Sequence, residues 1–280
     1  MLWPSWMEWV LREDLDGGDP TTEALIPATL WARGEVRVRT AGVVCGAPFA
    51  VQLLHRVDPR VKVEVHVAEG TQVKPDTVWM TWRGPARALL MAERTVLNLL
   101  ARLSGIATLT RQYVERAKIF GVEVLDTRKT LPGYRTLEKY ATRIGGARNH
   151  RQDLSAGIMI KDNHLALLGG DVARAVRLAR QRVPFLSLVE VEVETLEQAQ
   201  QAAEAGADVL LLDNMTPDQV AEVVRHLGGR VRLEVSGGIT LNSIEDYART
   251  GIRYISVGRI THAAPALDLS LDLQPEGDHG

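Results

Sequence analysis

The sequence predicts an α/β protein with two separate cores, the second of them a parallel α/β barrel. Three observations carry this. All six tryptophans (Trp3, Trp6, Trp9, Trp31, Trp79, Trp82) lie in the first third of the chain, which marks off a first core of distinct composition. Residues 33–82 run in short β-rich stretches punctuated by Gly70 and Pro75. From about Gly121 the grammar becomes strand, loop, helix, and strand starts recur about every twenty residues, as in βα units.

Each element follows from its pattern. Trp3, Trp6, Trp9 and Val10 recur at helical spacing and predict a core-packing or interface helix. Glu8, Glu13 and Asp14 disfavour laying it on an anionic membrane surface. Val61, Val63, Val65 and Val67 alternate with Lys62, Glu64 and His66, the period of a strand with one wet face. A helix is expected from Pro85 to Leu103, with Leu90, Glu93, Leu97, Leu100, Ala101 and Ser104 on one side. Arg94 sits at the edge of that mostly apolar face, where an arginine needs a partner, an anion or another subunit. Strands are then read at VEVLD, LSLVEVEVE, ADVLLLDN, VRLEVSGG and IRYISVGR. Thr195, Thr216 and Thr240 stand at N-cap positions, and Gly206, Gly228 and Gly251 at C-cap positions. The roughly 160 residues available are short for eight complete units, which points to an incomplete barrel.

Composition narrows the function. Hydrophobic residues make up 45 % and charged residues 24 %, so a folded chain rather than a disordered one is expected. Lys plus Arg is 33 against 35 Asp plus Glu, and a net charge of -2 excludes nucleic-acid binding by bulk positive charge. Cys45 is the single cysteine, which excludes an intrachain disulfide, a Cys-rich zinc site and a CxxC pair. The N-terminal stretch turns acidic and lacks a basic n-region, unlike a signal peptide. No apolar run reaches the roughly 18 residues of a membrane span. A cytoplasmic protein is expected, with neither membrane nor nucleic acid as partner.

Barrel enzymes carry their chemistry at the C-terminal ends of the strands. Here those ends are Asp126-Thr127-Arg128-Lys129, Lys161-Asp162-Asn163-His164, Glu190 with Glu192 and Glu194, Asp213-Asn214, Ser236-Gly237-Gly238 and Val257-Gly258-Arg259. Residues 126–151 hold seven cations against two acids. Such a segment reads either as a solvated basic face or as a site for a phosphate ester or dicarboxylate. The glycine loops SGGI and SVGRI end the last two strands, where barrels often bind phosphate through backbone N–H groups. In VEVEVE the three glutamates share one face. They read either as an internal ion-pair ladder or, with Asp213, as ligands for Mg²⁺, ribose hydroxyls or a developing cation. Of the seven histidines, His150, His164 and His262 lie near these motifs.

The motifs DTRKTLPG (126–133), NHR (149–151), IKDNH (160–164), VEVEVE (189–194), LLDN (211–214), SGGI (236–239) and SVGR-TH-AP (256–265) resemble the quinolinate phosphoribosyltransferases. EDLDGGDPTT and AERTVLNLLARLSGIAT are also similar to that family, so the likeness covers essentially the whole chain. The resemblance implies a type II phosphoribosyltransferase, with an N-terminal α/β sandwich over 1–104 and an open seven-stranded α/β barrel over 105–264. The tail, 265–280, would return towards the first domain. It implies a homodimer with a shared active site, Arg94 reaching across. The reaction would join quinolinate to 5-phosphoribosyl-1-diphosphate with Mg²⁺, giving nicotinate mononucleotide, diphosphate and CO₂, a step of de novo NAD biosynthesis.

By the same resemblance, Arg94, Arg128, His150 and Arg151 would hold the two carboxylates of quinolinate. Thr127, Lys129 and Lys161 would face diphosphate and substrate charge. Glu190 and Asp213 would hold Mg²⁺ and the ribose and act catalytically with Lys129. Ser236, Gly237, Gly238, Val257, Gly258, Arg259 and His262 would surround the 5′-phosphate. Arg259 departs from the small residue usual in the family after Gly258. The alternatives are a relative acting on another acid such as nicotinate, a phosphate-binding barrel lyase or isomerase using Lys129 or Lys161 as a Schiff base, and a silent carboxylate- or phosphate-binding protein.

Overall fold

The computed structural model describes residues 4–276, so Trp3 lies outside the described residues. The chain divides into two compact units. One holds the residues up to Leu109 and those from Ala264 on, and the other runs from Thr110 to Ala263.

The first unit contains α1 (Pro4–Leu15), α2 (Pro20–Leu25), β1 (Trp31–Val38), β2 (Gly42–Val43), α3 (Ala47–Val57), β3 (Lys62–Val65), β4 (Gln72–Val73), β5 (Val78–Pro85) and most of α4 (Ala86–Lys118). Its main sheet is antiparallel in the order β12-β1-β5-β3, where β12 (Leu269–Glu276) pairs along the whole of β1. Trp79 and Trp82 on β5 are fully buried and anchor this core. Two local readings are corrected. In α1 the buried residues are Val10 and Leu11, and Trp9 is 60 % exposed. The valine alternation near Val65 does not bury its valines evenly: β3 is an edge strand, and Val65 is exposed while Val61 is buried.

The helix expected to stop near Leu103 runs on through Ser104-Gly105 to Lys118, and its last turns belong to the second unit. Gly105 is a packing site rather than a helix stop. A Cβ there would overlap the Pro265 carbonyl oxygen, so only glycine lets the returning chain pass. One residue earlier, Ser104 Oγ accepts the Cys45 N–H at 3.0 Å, and the Leu267 N–H donates to the Ala101 carbonyl at 2.9 Å.

The second unit alternates strand and helix: β6 (Glu123–Leu125), α5 (Arg135–Gly145), β7 (Ile158–Ile160), α6 (Asp162–Leu167), α7 (Val172–Arg182), β8 (Val189–Val193), α8 (Leu196–Glu204), β9 (Val209–Asp213), α9 (Pro217–Leu227), β10 (Arg232–Ser236), α10 (Ile244–Ala248), β11 (Tyr254–Ser256) and α11 (Arg259–His262). All six strands are parallel, in the order β6-β11-β10-β9-β8-β7. A seventh position flanks β6 as a single parallel bridge between Leu125 and Arg148. Among the described residues no ladder joins it to β7, so the α/β barrel is open. Val189, Val191 and Val193 are fully buried on the helix-facing side of β8, which leaves the glutamates of that strand for the interior. Thr195 and Thr216 cap α8 and α9 through the N–H groups of Gln198 and Gln219, whereas Thr240 caps the turn that leads into α10. No helix among the described residues is long and apolar enough to cross a membrane.

Gly105→Ala is expected to lower stability by about 1–3 kcal/mol, the usual cost of forcing an atom into a filled site. Urea unfolding followed by tryptophan fluorescence measures it, and an unchanged midpoint would contradict the packing role.

Candidate active site

At the C-terminal ends of the parallel strands the second unit opens into a cleft of about 410 Å³. Arg128, Lys129, Arg151 and Lys161 line it as cations, and Asp126, Asp162, Glu192, Asp213 and Glu234 as acids. Thr127, His150 and Ser236 also reach it. Arg128, Lys129, His150 and Arg151 thus come together from two segments 20 residues apart in sequence.

The buried Asp126 brings those segments together. Its carboxylate pairs with the Lys139 ammonium of α5, and both side chains are almost wholly buried. The same carboxylate accepts from Thr142 Oγ1 at 2.9 Å, Asn149 Nδ2 at 2.6 Å and the His150 N–H at 2.8 Å. Lys139 Nζ also donates to the His150 carbonyl at 3.1 Å. Several members of the basic segment are therefore structural. Arg148 pairs with Glu123 at 3.2 Å, Arg143 lies over the Tyr140 ring, and Arg135 bonds Thr130. What remains for a ligand is Arg128, Lys129 and Arg151. Burial, and then the nearby Arg128 charge, hold the Arg151 guanidinium below its usual value.

The acids require a correction. Glu190 was expected beside Asp213, but register places it opposite Val209, while Glu192 lies opposite Leu211. Glu192 is the last interior residue of β8 and lines the cleft with Asp213, and it pairs with Lys161. Glu194 lies beside them at a smaller recess shared with Asp162. The missed signal was the strand end itself, since in an alternating run the last inward residue is the one that reaches the rim. Burial lifts the Asp213 carboxyl above its ordinary value, with the Lys161 charge opposing. Lys161 Nζ is engaged in an ion pair with Glu192 rather than standing free as a Schiff-base amine.

Glu190 is instead 6 % exposed and bonds His150, its Oε2 lying 3.2 Å from Nε2. Glu234 of β10 approaches the same nitrogen at 3.5 Å. The other His150 nitrogen, Nδ1, accepts the Arg151 N–H at 2.8 Å. Both ring nitrogens are thus engaged, and His150, expected to help hold a substrate carboxylate, lines the cleft with its ring bound to Glu190 and to the Arg151 N–H. Burial alone would lower the imidazole pKa, but hydrogen bonds to Glu190 and Glu234 outweigh it and push it up to about 10. Burial raises Glu190. The cluster therefore keeps an extra proton at neutral pH. These three side chains are the one group among the described residues with geometry near that of a metal site. A cation there would have to displace the Nε2 proton and place another on Nδ1, against the Arg151 N–H. Neither this cluster nor Glu190 with Asp213 therefore fits the expected metal pair.

The glycine loops flank the cleft. Gly237 has φ of 100°, and a Cβ on it would lie 2.8 Å from the Asn214 nitrogen, so glycine is required for the loops after β9 and β10 to touch. Gly258 lies against the Lys129 and His262 side chains, since a Cβ there would come within 2.7 Å of Lys129 Cδ and 3.4 Å of His262 Cδ2. Thr261 Oγ1 donates to the Lys129 carbonyl at 2.7 Å and ties this loop to the basic one. Gly238 is exposed beside Gly237. Two residues are corrected. Val257 is buried, and its N–H is already bound to the Leu125 carbonyl, so neither group is free for a ligand. Arg259 is exposed and lies near the Tyr113 hydroxyl, where its charge opposes the rise in the Tyr113 pKa caused by burial; that hydroxyl lies 3.5 Å from the Ile239 carbonyl. Arg259 is not among the residues that line the cleft. His164 is a cap: its Nδ1 accepts the Lys161 N–H at 2.9 Å. Arg94 lies in the first unit, exposed on α4, and no acid among the described residues pairs with it.

Comparison with known proteins places this geometry among relatives. Residues 19–104 match the family model for the quinolinate phosphoribosyl transferase N-terminal domain, and residues 106–272 match that for the C-terminal domain. The chain is 41 % identical over 261 residues to a probable nicotinate-nucleotide pyrophosphorylase [carboxylating] of Bacillus subtilis, covering 93 % of this chain and 90 % of the relative. It is 44 % identical over 268 residues to the nicotinate-nucleotide pyrophosphorylase [carboxylating] of Homo sapiens, covering 94 % and 89 %. The crystal structure of NadC from Streptococcus pyogenes superposes with a TM-score of 0.93 at 37 % identity, covering 99 % of both chains.

Breaking the buried pair by Lys139→Met, which strands Asp126, is expected to destabilise the protein by about 3–5 kcal/mol. The double variant Asp126→Asn/Lys139→Met should lose less than the sum of the singles. Chemical unfolding of the four proteins tests this, and strict additivity would refute the coupling.

Proposed function

The chain belongs to the quinolinate phosphoribosyltransferase family, and we propose that it transfers the phosphoribosyl group of 5-phosphoribosyl-1-diphosphate to quinolinate with decarboxylation. The products are nicotinate mononucleotide, diphosphate and CO₂, as a step of de novo NAD biosynthesis. One observation carries the reading. Arg128, Lys129, Arg151 and Lys161 share a single cleft at the strand ends with Glu192 and Asp213, matching a dicarboxylate and a diphosphate on one side and a ribose on the other.

Arg128 and Arg151 take the quinolinate carboxylates, since paired guanidiniums that repel each other when empty suit a dianion. Lys129, beside Gly258 and His262, and Lys161 take phosphate charge, with Thr127 in the same loop. The 5′-phosphate lies at Ser236, Gly237, Gly238 and Gly258. Departure of diphosphate leaves positive charge on the ribose ring, and Glu192 and Asp213 stabilise it and bind its hydroxyls. The pyridine nitrogen attacks the ribose carbon directly, so no general base is needed. Once quaternised, it stabilises the carbanion left when the adjacent carboxylate departs as CO₂, and that carbon then takes a proton from water to give nicotinate mononucleotide.

Hard carboxylate oxygens at Glu192 and Asp213 suit Mg²⁺, which takes one or two protein carboxylates and completes its shell with substrate phosphate and water. Its chemistry there is to neutralise the leaving diphosphate. The assembly is a homodimer in which the partner's Arg94 completes the site. An exposed arginine without an acid partner, at the edge of a mostly apolar helix face, supports this.

Purified protein with Mg²⁺ and 5-phosphoribosyl-1-diphosphate is expected to form nicotinate mononucleotide from quinolinate and to leave nicotinate unused. Turnover of nicotinate alone, or of neither acid, would overturn the reading. Glu192→Ala should lower kcat by about 10²–10³, the worth of a preorganised charge. Arg94→Ala and Lys129→Ala proteins, each inactive alone, should recover part of the activity when mixed. No recovery after proven subunit exchange would refute the shared site.

A further inference from the structure

We propose that Glu234 is a positioning residue for quinolinate: acting through His150, it holds Arg151 in place to receive a substrate carboxylate. This rests on the functional reading above and extends it to a residue that would not touch substrate.

Glu234 projects from β10 into the barrel interior and is 3 % exposed. His150, Arg151 and Glu234 line both the upper cleft and a second cleft of about 490 Å³ at the other end of the strands. They form the partition between the two. A partition residue can hold a ligand-facing side chain from behind, and the bonds run in that order. Glu234 Oε2 lies 3.5 Å from His150 Nε2, beside the 3.2 Å approach of Glu190. His150 Nδ1 accepts the Arg151 N–H at 2.8 Å. The ring is thus oriented from below by two acids, and its upper nitrogen fixes the backbone that carries the Arg151 side chain. The two acids hold the Nε2–H and so set the orientation of the ring.

The backbone of His150 is already anchored on its other side by Asp126 and Lys139. Loss of Glu234 therefore leaves Glu190 alone against Nε2 and loosens the ring and the Arg151 N–H without releasing the segment. Arg151 and Arg128 repel, so an Arg151 less firmly held moves away from the position where both guanidiniums meet one dicarboxylate. The effect belongs to quinolinate. The phosphate end of the cleft is built on the loops after β10 and β11, which this chain of bonds does not enter.

The test is steady-state kinetics on the full-length protein, varying each substrate with the other saturating. Glu234→Leu should raise the KM for quinolinate about tenfold or more, as misplacement of a binding group does, and leave that for 5-phosphoribosyl-1-diphosphate within about twofold. Glu234→Asp should recover part of the loss. In a His150→Ala background the Glu234→Leu change should have no further effect on the quinolinate KM. If Glu234→Leu does not fold, Glu234→Gln, which keeps the volume but not the charge, is read the same way, with a smaller rise expected. Equal rises for both substrates, or an effect undiminished without His150, would overturn the positioning role. An unshifted quinolinate KM in an active Glu234 variant would overturn that role alone. Absence of quinolinate turnover in the wild type would overturn it together with the functional reading.

Discussion

A single buried carboxylate, Asp126, fixes the geometry of the basic half of the cleft. It receives the Lys139 ammonium, a threonine hydroxyl, an asparagine amide and a backbone N–H. Burying one charged pair this deeply costs several kcal/mol in lost hydration and is tolerated only when the remaining lone pairs are also satisfied. Here they are, by donors from α5 and from the segment after it. The bonds therefore hold three pieces of chain at one point: the end of β6, the middle of α5, and Asn149-His150. Arg128 and Lys129 leave that point in one direction and Arg151 in another. The cations meet because their backbones are held together and in spite of their mutual repulsion.

That repulsion sets the second constraint. The cleft collects four cations, and a site so charged would push itself apart in water-poor surroundings. Acids intervene at two depths. Glu192 neutralises Lys161 at the rim, while Glu190 and Glu234 sit beneath His150 and Arg151. The deeper pair serves the folded state without a ligand, and the upper pair is free to exchange partners when charged substrates enter. Two successive inward glutamates of one strand thus differ in kind, because a single two-residue step moves a carboxylate from the rim into the interior.

That difference was half legible in the sequence. The βα repeat, the two cores, the basic segment and the glycine loops follow from periodicity and punctuation, because each is written locally. The inward face of VEVEVE was legible too, but the depth of each glutamate depends on strand length and on the register with β9, which no local pattern encodes. Similar reasons hid other features. Ser104-Gly105 reads as a helix end, yet glycine is there to admit Pro265, a residue 160 positions away. Val257 reads as part of a phosphate loop, but pairing with β6 consumes its N–H. Arg259 reads as a cation for the ligand, but it is exposed outside the cleft lining, near Tyr113. Each miss comes from a contact between residues distant in sequence.

The openness of the barrel explains why the interior is so polar on this side. The strand that would follow α5 pairs with β6 only at Arg148. Beyond it the chain turns into the barrel, and its backbone groups lose the ladder that a full strand would provide. Buried N–H and C=O groups must find partners, so side chains supply them. The His150 N–H goes to Asp126, its carbonyl takes Lys139 Nζ, and the Arg151 N–H goes to the His150 ring. A continuous strand would have satisfied these groups without any buried charge, but it would have alternated its side chains between interior and exterior. Ending the strand after one bridge lets consecutive residues, His150 and Arg151, both line the cleft. The buried acid, lysine and histidine are thus the consequence of a strand cut short, and the cut is what places two adjacent side chains at the ligand.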